Sequence, residues 1–114
     1  MKDDHVYLAH ILECINRVER GVSAGKSEFM QADLRQDAVV RNLQVLSEST
    51  QRLSEDLKSR YPAVEWRKIA DFRNRLVHDY LGVDLEIVWQ VIERDLPELK
   101  RAIVEMLAPD AELE

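Results

Sequence analysis

The sequence predicts an all-α fold, a bundle of four or five helices, and three observations carry that expectation. Glycine and proline together number six among 114 residues, too few for the many tight turns of a β-rich chain. Apolar residues return at spacings of three and four along most of the chain, which is the period of one helix face. Between these stripes stand aspartates, serines and glycines, the residue types that start and stop helices.

The first helix takes Asp3 or Asp4 as its cap, because a short carboxylate there accepts orphan backbone N–H groups and suits the helix dipole. Its stripe is Leu8, Ile11, Leu12, Ile15, Val18 and Val22, and Gly21 and Gly25 bracket a fraying end. Ser27 caps a short turn around Phe29 and Met30. Asp33 and Gln36 read as a capping box for the longest helix, with Val39, Leu43, Leu46, Leu53 and Leu57 on one stripe and Pro62 at its end. A third long helix starts at Glu65 or Trp66 and runs through Ile69, Phe72, Leu76 and Tyr80 to Leu81, where Gly82 stops it. Asp84 caps a segment holding Leu85, Ile87, Val88, Val91 and Ile92. Asp95 with Glu98 forms another capping box, Pro97 sits in that first turn, and the last helix carries Leu96, Leu99, Ile103, Val104 and Leu107. The acidic tail from Asp110 frays.

At 46% hydrophobic and 33% charged, the composition is that of an ordinary folded protein, and the length fits one domain over residues 1–114. Sixteen basic against 22 acidic residues give a net charge of −6, which argues against a generic electrostatic binder of nucleic acid or anionic membrane. The charge is segregated, however. Residues 58–75 carry six basic against two acidic side chains, and residues 79–114 three basic against ten acidic. Cys14 is the only cysteine and reads as a small buried hydrophobe, so an intramolecular disulfide and zinc sites built on several thiolates are excluded. His5 and His10, five apart, lack metal-ligand spacing and read as surface residues. The stretch Met1-Lys-Asp-Asp-His5 lacks the apolar core of a secretory signal and no apolar run has membrane-spanning length, so a cytoplasmic location is expected. Val6, Trp66, Val88 and Trp89 do not fit one narrow stripe, a surplus that suggests a homodimer or else a thicker core.

Chemistry concentrates at the end of the third long helix, where Arg73, Asn74, Arg75, His78 and Tyr80 fall within eight residues. Arg73 and Tyr80, seven apart, share one stripe, and Asn74 and His78, four apart, share a neighbouring face. Arg73 and His78 diverge by about 140° on an ideal helix, so they converge on one target only if the helix end distorts or a second subunit contributes. Such a set suits cleavage of an RNA phosphodiester. Histidine as a residue type takes and gives protons near neutral pH, and arginine offers a fixed two-donor fork to phosphate. A ribose 2′-OH nucleophile requires no metal. Blander readings exist at each position: an Arg75–Asp79 ion pair, an Arg73 pair with Asp71 or with a carboxylate from another helix, and a packed or surface His78. Arg41, Asn42 and Glu48 read as a solvated flank of the long helix, or less simply as one brace for the motif from the facing helix.

Arg73-Asn-Arg-Leu-Val-His78-Asp-Tyr80 resembles the arginine–four residues–histidine–any–tyrosine motif of HepT-like HEPN proteins, bacterial and archaeal toxins. The same family pattern runs through Asp37-Ala-Val-Val-Arg-Asn-Leu43, Leu53-Ser-Glu-Asp-Leu-Lys-Ser-Arg-Tyr-Pro62, Trp66-Arg-Lys-Ile-Ala70, Gly82-Val-Asp-Leu-Glu-Ile-Val-Trp89 and Asp95-Leu-Pro97. It therefore covers nearly the whole chain. The resemblance implies a dimeric HEPN bundle that acts as a metal-independent ribonuclease toxin of a toxin–antitoxin pair. Arg73 and His78 are then catalytic in the intersubunit cleft, with Asn74 and Arg75 in support and no cofactor. It also implies an MNT-type nucleotidyltransferase antitoxin that transfers AMP to Tyr80; a bulky anion there blocks the groove and repels phosphate. Three positions depart from the pattern. Glu65 stands where relatives often have proline, and Ser47 and Ser49 replace the glycine and alanine expected in that helix. The alternatives are a non-catalytic HEPN module that binds nucleotide or a nucleotidyltransferase, and a purely structural helical dimer.

Overall fold

The computed structural model describes residues 2–78 and 82–108, and among them every regular element is helical, in an all-α HEPN-type bundle. Two long helices form its frame: α1 (Lys2–Gly21) and α3 (Asp33–Gln51), linked through the single turn α2 (Lys26–Phe29). A short α4 (Glu55–Ser59) follows, then α5 (Trp66–His78), α6 (Leu85–Gln90), a π turn (Val91–Asp95) and α7 (Leu96–Leu107). α3 lies at the centre, packed along α1 on one side and against α5 on another, while α7 returns against α1. The two frame helices, each about 30 Å long at 1.5 Å per residue, give the molecule its elongated extents of 47 × 27 × 21 Å.

The core is the set of stripes that the helical period marks. Leu8, Ile11, Ile15 and Val18 of α1 and Val39, Leu43 and Leu46 of α3 are buried, joined by Leu76, Val88, Ile92, Leu96, Leu99 and Ile103. Phe29, fully buried on the α2 turn, sits with its ring centroid 5.7 Å from that of Trp89. Cys14 is buried as expected, and desolvation pushes its thiol pKa up. His5 and His10 are both exposed. Val88 and Trp89 are absorbed by this core, and the Trp66 indole N–H donates to the carbonyls of Lys58 and Tyr61 at 3.2 Å each. Of the four surplus apolar residues only Val6 stays open, at 63% exposure, so most of that surplus is explained within one chain. Among the described residues no helix is long and apolar enough to cross a membrane.

Several helix boundaries differ from expectation, each for a physical reason. Asp4 does not cap α1, which already runs from Lys2. Its carboxylate reaches instead across fifty residues of sequence to accept from the Ser54 backbone N–H (2.8 Å) and hydroxyl (2.7 Å). Ser54 in turn accepts from the Leu57 N–H and caps α4. The expected single helix through Leu53 and Leu57 is thus two, broken at 52–54. Gly25, not Ser27, is the residue that opens α2, at φ 98° where a side chain would be strained. Asp33 lies inside the first turn of α3 rather than before it, its carboxylate accepting from the Leu34 N–H, and Gln36 donates to the Phe29 carbonyl. Asp84 caps α6 as expected, accepting from the Glu86 and Ile87 N–H groups. Asp95 caps nothing: it is helical, and α6 passes into α7 through the π turn, where the Leu96 N–H bonds the Val91 carbonyl. The widened turn lies one residue before Pro97, whose ring clashes with the carbonyl four residues back in a regular helix. Residues 79–81, to which the third long helix was expected to run, and the tail from Asp110 lie outside the described residues; Gly82 has φ 152°.

Gly21 is a point of close approach rather than a fraying end, because a Cβ there would stand 2.7 Å from Val39 Cγ2. Gly21→Ala is expected to lower stability by about 1–3 kcal/mol despite alanine's better helix propensity. Urea unfolding checks this, and Val39→Ala in the same chain should recover part of the loss relative to the sum of the two single changes.

The Asp4 tether generates a pH-dependent prediction. Burial raises its carboxyl pKa, but the hydrogen bonds from the Ser54 hydroxyl and amide outweigh this, and the net value lies below the ordinary 3.8. A carboxyl depressed in the folded state contributes fully above the ordinary pKa and loses that contribution as pH falls through the depressed folded value. Asp4→Asn is expected to cost about 1–3 kcal/mol at neutral pH. Denaturation followed against pH should show the gap between wild type and variant closing only below the ordinary carboxylate range.

Candidate functional site

Arg73, Asn74, Arg75 and His78 sit on α5, a helix made amphipathic by Ile69, Phe72 and Leu76 on one side and by Arg67, Asp71, Asn74, Arg75 and His78 on the other. Glu65 stands immediately before it, with its carbonyl accepting from the Ile69 N–H and its carboxylate 3.6 Å from Lys68 Nζ. The position therefore starts the helix without proline. α5 stays regular through His78, its last described turn.

Arg73 is half-buried at the seam with α3, where Glu48 meets it. Its Nε and Nη2 donate to Glu48 Oε2 at 3.2 and 3.1 Å, and its Nη1 donates to Asn74 Oδ1 at 3.2 Å. Gln44, one turn earlier on α3, donates its amide to the same Glu48 oxygen at 3.3 Å. The Gln44 amide and the Arg73 guanidinium hold the Glu48 carboxyl below its ordinary pKa, against the opposing effect of burial. The bracing carboxylate is thus from another helix, not from Asp71. Both side chains remain about a third exposed, 32% for Arg73 and 39% for Glu48. At that exposure a pair adds about 1 kcal/mol or less to stability. Its evident effect is geometric.

The other predicted residues divide by face. Asn74 and His78 are both exposed and share one side of α5. Arg73 and His78 diverge by about 140° because the helix does not distort. Arg75 points to a different feature, a groove of about 290 Å³ whose apolar floor includes Leu43, Phe72 and Leu99. Tyr80, and Asp79 as a partner for Arg75, lie outside the described residues. Ser47 and Ser49, on the α3 face near this seam, are buried, and the Ser47 hydroxyl is satisfied by the Leu43 carbonyl at 2.7 Å. Among the described residues, no group of three or more His, Cys, Asp or Glu side chains is placed to hold a metal ion. Glu48 is the residue whose importance periodicity does not reveal. Its one signal in the sequence is a carboxylate beside the apolar stripe of α3, at a position helical spacing alone leaves on the flank.

A sequence model of the ribonuclease HepT-like family matches residues 11–106. The chain is 33% identical over 107 residues to a Methanocaldococcus jannaschii protein named as a gamma-glutamylcyclotransferase and candidate RNase; the match takes in 93% of this chain and 48% of that protein, about half its length. It is 33% identical over 108 residues to a candidate RNase of Caldanaerobacter subterraneus subsp. tengcongensis, covering 94% of this chain and 96% of the relative. A protein of Thermococcus cleftensis named probable ribonuclease HepT is 34% identical over 102 residues, covering 88% and 93% of the two chains. No solved structure matches the chain.

Proposed function

Because this chain belongs to the ribonuclease HepT-like family, we propose that it is the ribonuclease toxin of a toxin–antitoxin pair, cutting RNA without a metal through Arg73 and His78. The observation that carries the reading is the Arg73–four residues–His78–any–Tyr80 order, in which Arg73 is fastened across the seam between two core helices. An arginine so held keeps a two-donor fork for a phosphodiester and for the charge that develops in the transition state.

In the proposed reaction an imidazole takes the proton of a ribose 2′-OH and the 2′ oxygen attacks phosphorus. The bond to the 5′ oxygen breaks, and an imidazolium returns a proton to that leaving oxygen. The products are a 2′,3′-cyclic phosphate and a 5′-OH end. Arg73 and His78 of one chain face about 140° apart, which favours a cleft shared by two copies, each offering an arginine to the other's histidine. A twofold arrangement also supplies acid and base from the same residue type. Asn74, hydrogen-bonded to Arg73 and exposed beside His78, links the two faces. Arg75 acts as a more distant phosphate contact. AMP transferred to Tyr80 by an MNT-type nucleotidyltransferase then places a phosphate two residues from His78, where it competes with the substrate phosphate for the same cations.

Unmodified protein, its intact mass verified, is expected to cleave RNA in EDTA and leave cyclic phosphate ends. His78→Ala should lose about 100-fold or more of that rate while keeping its helical circular dichroism. Folded wild-type protein that cuts no RNA, but binds nucleotide equally well with or without His78, would establish the binding-module reading instead.

Incubation with an MNT-type nucleotidyltransferase and ATP should add AMP to the wild type and silence cleavage. Tyr80→Phe should neither gain the mass nor lose activity under the same treatment; modification of that variant would move the acceptor to another residue.

A further inference from the structure

We propose that Glu48 is a positioning residue for Arg73, holding the guanidinium by its Nε/Nη2 edge so that the adjoining Nη1/Nη2 end is presented to the phosphodiester; the role rests on the ribonuclease reading above. A guanidinium carries five N–H donors in a rigid plane. The Nε and Nη2 donors along one edge both end on Glu48 Oε2, and one Nη1 donor goes to Asn74 Oδ1. The uncommitted hydrogens are one on Nη1 and one on Nη2. These two nitrogens form the end-on fork, the arrangement that meets two phosphate oxygens with parallel hydrogen bonds.

The brace is itself rigid. Glu48 leaves α3 between Ser47 and Ser49, both buried, and Gln44 pins its acceptor oxygen from the preceding turn. Arg73 leaves α5 three residues before the buried Leu76. Each end of the contact is therefore anchored in the core, and the flexible part is confined to two side chains that restrain each other. Free of Glu48, the arginine has four rotatable bonds and an exposed seam to explore, and misplacement by about 1 Å costs about 100-fold in rate. A partly exposed pair adds little to folding stability, so removing Glu48 separates positioning from structural support.

The test is single-turnover and steady-state cleavage of RNA by the full chain, unmodified at Tyr80. It compares wild type, Glu48→Ala, Glu48→Gln, Arg73→Lys and the double variant Glu48→Ala/Arg73→Lys, with thermal unfolding alongside. Glu48→Ala should unfold like the wild type and lower kcat about 10- to 100-fold with KM little changed. Glu48→Gln, which keeps an acceptor oxygen, should recover part of the loss. In the Arg73→Lys background, where no fork remains to be aimed, removing Glu48 should cost little more. Full activity of Glu48→Ala, or the same fold-loss in both backgrounds, overturns the role. A wild type that cuts no RNA overturns the ribonuclease reading and the role together, whereas a cutting wild type beside an unimpaired Glu48→Ala overturns the role alone.

Discussion

Everything else in this bundle is hung on α3, which must be apolar toward two neighbours at once. Val39, Leu43 and Leu46 bury toward the core it builds with α1, and the same helix packs against α5. Close packing leaves little freedom at either contact, as Gly21 against Val39 illustrates: the gap admits no methyl group. A helix so constrained is also a stable platform, and Glu48 on its flank inherits that stability. Apolar burial thereby decides where a carboxylate stands, and the carboxylate decides how an arginine is held.

The fold was largely legible because helical periodicity is a direct imprint of burial. Most of the stripes of α1 and α3, with Leu96, Leu99 and Ile103 of α7, are buried in the core, while Leu12 and Val22 are only partly covered and Val104 stays exposed. What misled were signals whose meaning depends on distant partners. The spacing Leu46, Leu53, Leu57 stays in phase across the break at 52–54, so periodicity carries straight through it. Only the Asp4 carboxylate, fifty residues away, shows why Ser54 can start a new helix there. Asp95 and Glu98 have the right types and spacing for a capping box, yet a cap needs an extended backbone and Asp95 is helical. The proline two residues on is accommodated by widening one turn rather than by starting again.

The candidate site was legible in its residue types and order but not in its geometry. Arg73, Asn74 and His78 could be listed from the sequence, and so could the angular gap between Arg73 and His78. The partner of Arg73 could not be singled out from Asp71, Glu48 and other carboxylates, because the choice rests on which flank of α3 faces α5. Arg75, grouped with the motif by proximity in sequence, turns instead to the groove floored by Leu43, Phe72 and Leu99. Proximity along a helix and proximity in space part company within two residues.

The Asp4–Ser54 contact also has a consequence for the order in which the chain assembles. Its partners are fifty residues apart, and closing a loop of that size costs chain entropy that two hydrogen bonds do not offset alone. The pairing of α1 with α3 has to bring the ends together first. A contact that waits on that pairing is absent from the earliest folding nucleus and acts on the rate at which the finished bundle opens. The tether is a latch closed after assembly, and kinetic persistence is what it confers.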